Sequence, residues 1–398
     1  MKGLLLTPVL FVLSAGLIFS FDFGLLADQK IEAEEKVFSY TPVLTPWFSW
    51  NKGRFFSFYF SGIFSFKYSN YNDDGDGWNK PGLLPELGRF ALNYRSGPRF
   101  HLEAGRIGYT DALGFAASGL FDGLCIKADL SRSSITAGVW YTGLLYKETA
   151  KILMTAGDMK SYAEPWDWDN FSGYFAPRRL LNAFRRETPL GEFHSLSLEA
   201  LAQFDLTGND EGLHSQYGEL LAEFFPSGAS GTLGINIGGL FEIMESREGT
   251  CTAAFGGLAR LKTDIPGALN DGLSLTIKFT SGQWNDAYAV FKPLSSSAQG
   301  AVFSGTLSGL ALVSTGYTAR LHRALLLESA LRYFLRTYDD PATEGKYSYG
   351  GEVWASLAWQ PLEDLRLTLE GAAFFPALGN VYPANPQWKL SAGLSLTF

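Results

Sequence analysis

The clearest signal along the chain is a period of two. Over residues 388–398 the even positions are Trp388, Leu390, Ala392, Leu394, Leu396 and Phe398. The odd ones are Lys389, Ser391, Gly393, Ser395 and Thr397. Successive side chains of a β-strand point to opposite faces, so this alternation predicts one apolar and one polar face. Leu365, Leu367 and Leu369 alternate in the same way with Arg366, Thr368 and Glu370. Leu325, Leu327, Leu331, Tyr333 and Leu335 stand against Glu328, Arg332 and Arg336, and Leu273, Leu275, Ile277 and Phe279 against Ser274, Thr276, Lys278 and Thr280. The N-terminal half repeats the theme with aromatics. Phe56, Phe58, Phe60, Phe64, Phe66 and Tyr68 share one face, with Ser57, Tyr59, Ser61, Ser65 and Lys67 on the other. Phe90, Leu92 and Tyr94 oppose Arg89, Asn93 and Arg95.

More than a dozen such segments occur, and most exceed the ~5–6 residues common for strands in soluble proteins. Their length and hydrophilic second face fit strands that cross a bilayer. Hydrocarbon offers no partner for backbone N–H and C=O groups, so a spanning sheet must close on itself. The predicted fold is therefore all-β, a transmembrane antiparallel up-and-down barrel. Tight links at Asn51-Lys52-Gly53, Ser96-Gly97-Pro98 and Ser131-Arg132-Ser133 alternate with long polar ones at about 70–85, 146–172, 281–305 and 338–346. In such barrels short turns face the periplasm and long loops face outward. Keeping the long loops on one side requires a strand between Gly173 and Glu187, although that stretch alternates poorly. The count is then about 18 strands, or 16 if that strand and another fail to form.

Composition narrows the class. The 398 residues are 46% hydrophobic, yet mean hydropathy is only +0.02, too polar for a bundle of membrane helices. Aromatics at 15% and 44 glycines suit half-apolar strands joined by turns. A net charge of −8 argues against a nucleic-acid partner. Cys125 and Cys251 form no C-x-x-C pair, so neither a zinc site nor a redox pair is indicated. At the N-terminus Lys2 precedes an apolar run over 4–19, interrupted by Thr7, Pro8 and Ser14. This predicts a signal peptide over 1–20, with cleavage near Gly16 or Ser20, and one barrel domain over 21–398. A retained anchor is the alternative.

The last eight residues, Ser391-Ala392-Gly393-Leu394-Ser395-Leu396-Thr397-Phe398, resemble the assembly signal of Gram-negative outer-membrane barrels, in which a polar residue, a glycine two on and apolar residues lead to a terminal Phe. Ser391, Gly393, Leu396 and Phe398 match it position for position. The strand pattern is similar to porin-type barrels over nearly the whole exported chain. The resemblance implies contact with outer-membrane lipid and the barrel-assembly machinery, passive passage of small polar or charged solutes, and a homotrimer as one possible assembly.

If the apolar faces meet lipid, the opposite faces line the channel. Those faces offer Arg89, Arg95 and Lys127, with Glu103 and Asp129, on the early strands. An acidic sector follows, with Glu199, Asp205, Glu219, Glu223 and Glu242. A mainly basic sector closes the chain, with Arg260, Lys262, Lys278, Arg320, Arg332, Arg336, Arg366 and Lys389 among Glu328, Glu352 and Glu370. Neighbouring strands of a meander are neighbours in space, so this order predicts charge segregated around the wall and a transverse field.

The loops and histidines leave alternatives. Asn72, Asp74, Asp76 and Gly77 fit the opening of a calcium loop, but its twelfth position is Leu83 rather than Glu. A solvated acidic loop is the preferred reading, and no other cofactor is expected. The aromatic loop over 162–174, with Trp166, Trp168 and Phe171, either caps the barrel mouth, the preferred reading, or folds inward as a constriction. The loop with Trp284, Tyr288 and Phe291 poses the same choice. His101, His194, His214 and His322 lie in no nucleophile motif, and G-x-S-x-G is absent, so no enzyme is expected. An adhesin or structural barrel acting through its loops is the main alternative, and a barrel hydrolase comes after it.

Overall fold

The computed structural model describes residues 20–35, 37–71, 82–164, 171–208, 212–226, 233–267, 269–284, 288–339, 347–377 and 385–398. The signal-peptide segment up to residue 19, the calcium-like Asn72, Asp74 and Asp76, and Trp166 and Trp168 lie outside them. The chain runs through β1 (Ser20–Glu34), β2 (Val37–Lys52), β3 (Phe56–Tyr71), β4 (Gly82–Arg95), β5 (Phe100–Thr110) and β6 (Ser118–Asp129). Then follow β7 (Ser134–Tyr141), the helices α1 (Lys147–Ala150) and α2 (Ala156–Ala163), β8 (Arg179–Pro189), β9 (Ser195–Asp205), β10 (Leu213–Phe224) and β11 (Leu233–Ser246). The remainder is β12 (Cys251–Ile265), β13 (Asp271–Thr280), β14 (Leu310–His322), β15 (Leu325–Arg336), β16 (Ser348–Leu362), β17 (Leu365–Pro376) and β18 (Gln387–Thr397).

All 18 strands form one antiparallel sheet in sequence order, and β1 pairs with both β2 and β18. Closure removes the two open edges on which backbone groups would lack partners. At the seam the Phe398 amide donates to Leu25 O (2.9 Å) and the Leu25 amide to Phe398 O (3.1 Å). We call this the terminal end of the barrel and the opposite one the loop end.

The strand inferred between Gly173 and Glu187 is present as β8, so the count is 18 and not 16. Its poor alternation has a physical cause. Register with β9 places Arg179, Leu181 and Arg185 opposite Asp205, Gln203 and Glu199 on the inner face. There Leu181 and Arg179 are fully buried. An inner face that packs against protein rather than water carries no requirement to be polar.

That packing defines the core, which lies inside the barrel. Trp140, Leu181, Tyr217, Leu240 and Leu258 of the inner wall meet Leu113, Phe115, Ile152, Met154, Phe291 and Leu294 of the loops. The outer face is apolar and open, as Leu331, Leu369 and Ile237 show, each more than half exposed. Hydrocarbon is its natural complement.

Pairing between β4 and β5 runs only from Arg95↔His101 to Phe90↔Arg106, the weakest seam in the wall. Gly105 sits at its end with φ +122°, where a Cβ would lie 2.1 Å from Phe90 O. Above it Arg106 acts as a stitch. Its Nη1 donates to Leu87 O (2.7 Å), its Nη2 to Leu144 O (2.9 Å), and Nε and Nη2 bind Asp122 at 2.8 Å each.

Candidate functional site: a lumen narrowed by fastened loops

Carboxylates on the inner wall accept hydrogen bonds from the backbone of loops folded into the barrel. On β9, Glu199 accepts the Ala112 amide (2.6 Å), the Tyr109 hydroxyl (2.7 Å) and the Arg185 guanidinium (2.7 Å). On β10, Glu219 accepts the Leu113 amide (3.1 Å). On β11, Glu242 accepts the Lys292 amide (3.0 Å). On β16, Glu352 accepts the amides of Ala301 (2.9 Å), Val302 (2.8 Å) and Phe303 (2.9 Å) and pairs with Arg332 (2.6 Å). Asp111 shapes the first of these loops from within, taking the amides of Phe115 (2.9 Å) and Ala117 (2.8 Å). A buried carboxylate is tolerated only where such donors replace its water.

These anchors lie deep. Glu242 and Glu352 are each about four residues below the loop end of their strands, roughly 13 Å along a strand at ~3.3 Å per residue. Residues 288–309 therefore reach into the barrel, fastened at one point to β11 and at another to β16. Of the two readings left open for this loop, the inward constriction is the one its anchors support. The cause is the row of wall carboxylates, which compensate backbone amides that would otherwise stay in water.

Residues 142–164 and 171–178 are drawn in by a second device. Thr155 and Asp158 form a capping box on α2, and Asp158 also pairs with the fully buried Arg179 (2.6 Å), which lies 3.2 Å from Asp205. Lys147 donates to Ser161 O (2.9 Å) and to Glu164 O. The Tyr174 hydroxyl donates to Pro85 O (2.7 Å), and its ring lies 4.6 Å from Tyr146. Burial and nearby Glu86 raise the Tyr174 pKa to about 12, so it remains a donor. The three loops meet. Leu294 N donates to Ala116 O (2.7 Å), Ser296 N to Lys151 O (2.9 Å) and Ser118 N to Ser295 Oγ (3.2 Å).

All the wall charges expected from sequence lie on strands, with register that places them on the inner face, but their duties differ. Glu199, Glu219, Glu242 and Glu352 hold loops, and Asp205 belongs to the Arg179 cluster. Most of the expected acidic sector, Glu199, Glu219, Glu242 and Asp205, is buried under protein. Arg332 is held by Glu352 and lies 5.4 Å from Trp354, while Arg336 lies over Tyr349 at 4.9 Å. Lys278 reaches Gln299 (3.2 Å), Glu223 accepts from Ser195 and Asn236, Glu370 from Ser391, and Arg89 pairs with Glu103 (2.7 Å). Arg95 and Lys127 both stand opposite His101, Arg260 opposite Thr276, and Glu328 opposite Thr318.

Open space remains on the other side of the lumen. At the loop end a cavity of about 740 Å³ is lined by Glu32, Thr41, Ser65, Lys67, Glu86 and Lys151, among others. Deeper, about 210 Å³ lies between Ala301 of the third loop and the wall residues Lys30, Glu370, Lys389 and Ser391. A cavity of about 730 Å³ at the terminal end is lined by Arg320, His322, Arg323 and Arg366. The narrow middle is polar and charged. Glu32 Oε1 binds both Lys30 and Lys389 at 2.9 Å, and Lys389 also binds Glu34 at 2.9 Å. Asp111, Asp158, Arg179, Arg185, Lys30 and Glu32 were missed from sequence. Lys30 and Glu32 were readable, since Asp28, Lys30, Glu32 and Glu34 alternate with Ala27, Gln29, Ile31 and Ala33.

The histidines show simple hydrogen bonds. His101 faces Asn93 Oδ1 (3.0 Å), and Nδ1 of His194 and His214 accept the amides of Phe225 and Asp205. Among the described residues no His, Cys, Asp or Glu group is arranged to hold a metal ion.

A closed antiparallel barrel of 18 strands with loops folded into its lumen is an outer-membrane-type fold. It is similar over almost its whole length to solved structures from Pseudomonas aeruginosa. The outer membrane protein OpdK aligns with TM-score 0.63 and 12% identity, covering 95% of this chain and 99% of that one. OccK5 (OpdH) gives 0.62 and 8% over 95% and 98%, and OprD 0.57 and 10% over 95% of both. No protein-family model matches the sequence, and no curated protein does.

Proposed function

We propose that the protein sits in the outer membrane of a Gram-negative cell and passes small polar or charged solutes by passive diffusion. Residues 1–20 act as its export signal, and Ser391, Gly393, Leu396 and Phe398 as its assembly signal. The observation that carries this reading is the fastening of loops 111–117 and 288–309 to Glu199, Glu219, Glu242 and Glu352, beside a charged, water-accessible strip along β1, β17 and β18. Such anchors narrow the lumen at a fixed place and leave one side open. An adhesin or structural barrel needs loops that project outward, whereas these are held within. The reading is non-enzymatic.

Planar-bilayer recording tests the proposal. The folded protein should give discrete current steps, reduced by solutes that enter the strip. Vanillate, with which OpdK has been crystallised, belongs in the panel as a small aromatic carboxylate. A folded, inserted protein that carries no current would end the channel reading.

A further inference from the structure

On the outer face, near the terminal end, a hollow of about 450 Å³ interrupts the apolar surface between β3 and β5. Its lining is Phe55, Phe56, Leu92, Tyr94, Leu102 and Ala104. The register explains it. Leu92, Ala104 and Leu124 stand side by side on adjacent strands, and Ala104 is the small member between two leucines. Phe56 and Tyr94 form one wall, with ring centroids 4.8 Å apart.

Cations gather at the rim beside this hollow. Lys52 is the cross-strand partner of Phe56 and shares its outer face. Arg54 lies 5.0 Å from the Phe55 ring, and exposed Arg99 and Arg132 occupy the next two turns. Asp129 and Asp22, acids on neighbouring strands at this end, lie on the lumen face. Elsewhere at this end the turns are mixed in charge, with Glu192, Glu363 and Asp364 beside Arg323. The basic arc and the apolar hollow thus coincide.

We propose that this hollow is a lipid site that takes an acyl chain of an anionic glycerophospholipid from the periplasmic leaflet, its phosphate resting against Lys52, Arg54 and Arg99. The inference goes beyond solute passage and depends on the barrel lying in lipid. Burial of the chain against Ala104 supplies apolar contact, and the cations supply headgroup preference. Lysines and arginines at any membrane boundary keep their charges in water by extending along the surface. That general behaviour also favours anionic headgroups, but it predicts no dependence on the shape at Ala104.

The full-length barrel is reconstituted in phosphatidylcholine nanodiscs containing a minority of phosphatidylglycerol, and the lipids it retains are counted by native mass spectrometry. Phosphatidylglycerol should be enriched roughly tenfold over its share, as expected for a few interfacial cations. The double variant Lys52→Gln/Arg54→Gln should bring it down towards its share. Ala104→Leu, which fills the hollow, should reduce retention of both lipids. Equal enrichment in the wild type and the double variant overturns the proposal, as does retention indifferent to Ala104→Leu. A lipid-free face that instead joins two copies of the chain also overturns it. Heat-modifiable migration and conductance of the same preparations show that each barrel is folded and inserted. A missing lipid preference then counts against this site alone, whereas failure to insert counts against the membrane reading.

Discussion

At the residue scale the acidic groups of the inner wall are fasteners, and Glu352 shows the strongest case. Three consecutive amides and one guanidinium converge on its two oxygens. Glu352→Gln keeps the volume, but it turns one oxygen into a donor facing other donors and removes the charge opposite Arg332. The expected cost is ~2 kcal/mol, since the lost bonds are charge-assisted but Arg332 retains some water. The lowered urea midpoint of the folded barrel reads that cost. Loop 288–309 should loosen as well, so single-channel conductance should rise and become noisier. A quiet channel of unchanged conductance would mean that the loop is held elsewhere. Arg179 makes a second test. Arg179→Met strands Asp158 and Asp205 without their cation, and loss of one partner in a buried pair typically costs ~3–5 kcal/mol. Faster proteolytic nicking within 142–178 at constant barrel content would show that α2 has come free.

At the element scale the weak place is the seam between β4 and β5. Hydrogen bonding stops at Phe90↔Arg106, yet β4 continues above it, and Arg106 bridges β4, β6 and the loop after β7. Arg106→Leu should leave β4 and β5 paired below the break and open the wall above it. Hydrogen exchange should therefore quicken at the amides of 82–89 and 107–110 but not at Leu92 or Tyr94. Uniform protection would show that packing alone closes the seam. The elements also explain what could be read from sequence. Strands with one face in lipid and one in water, such as β17 and β18, announce themselves by strict alternation. In β8, Leu181 and Arg179 face protein, so the pattern fails and only parity of the turns demands a strand. Fastening was illegible for a related reason. A sequence shows that Glu199 or Glu352 faces inward, but not that a loop far along the chain brings its amides to it. The short link at 111–117 carried no length signal at all.

At the scale of the whole molecule the loops divide the lumen into a packed side, lined by β5 to β14 and reached again at Glu352 on β16, and an open side along β1 to β3, β17 and β18. Selectivity belongs to the open side, where Lys30 and Lys389 surround Glu32 across from Ala301. Replacing both lysines by glutamine removes two positive charges and leaves Glu32, Glu34 and Glu370 facing the same passage. The reversal potential under a salt gradient should then move towards that of the cation. Glu32→Gln should move it the other way, because it leaves the two lysines in place. Both shifts should be largest in dilute salt, where the screening length is ~30 Å at 0.01 M, and should nearly vanish at 1 M, where it is ~3 Å. Arg332→Gln is the contrasting variant, because its charge is already matched by Glu352. It should change conductance through the loop more than it changes ion preference. If the lysine and glutamate variants left the reversal potential where it was at every salt concentration, ions would be passing by a route other than the strip along β1 and β18.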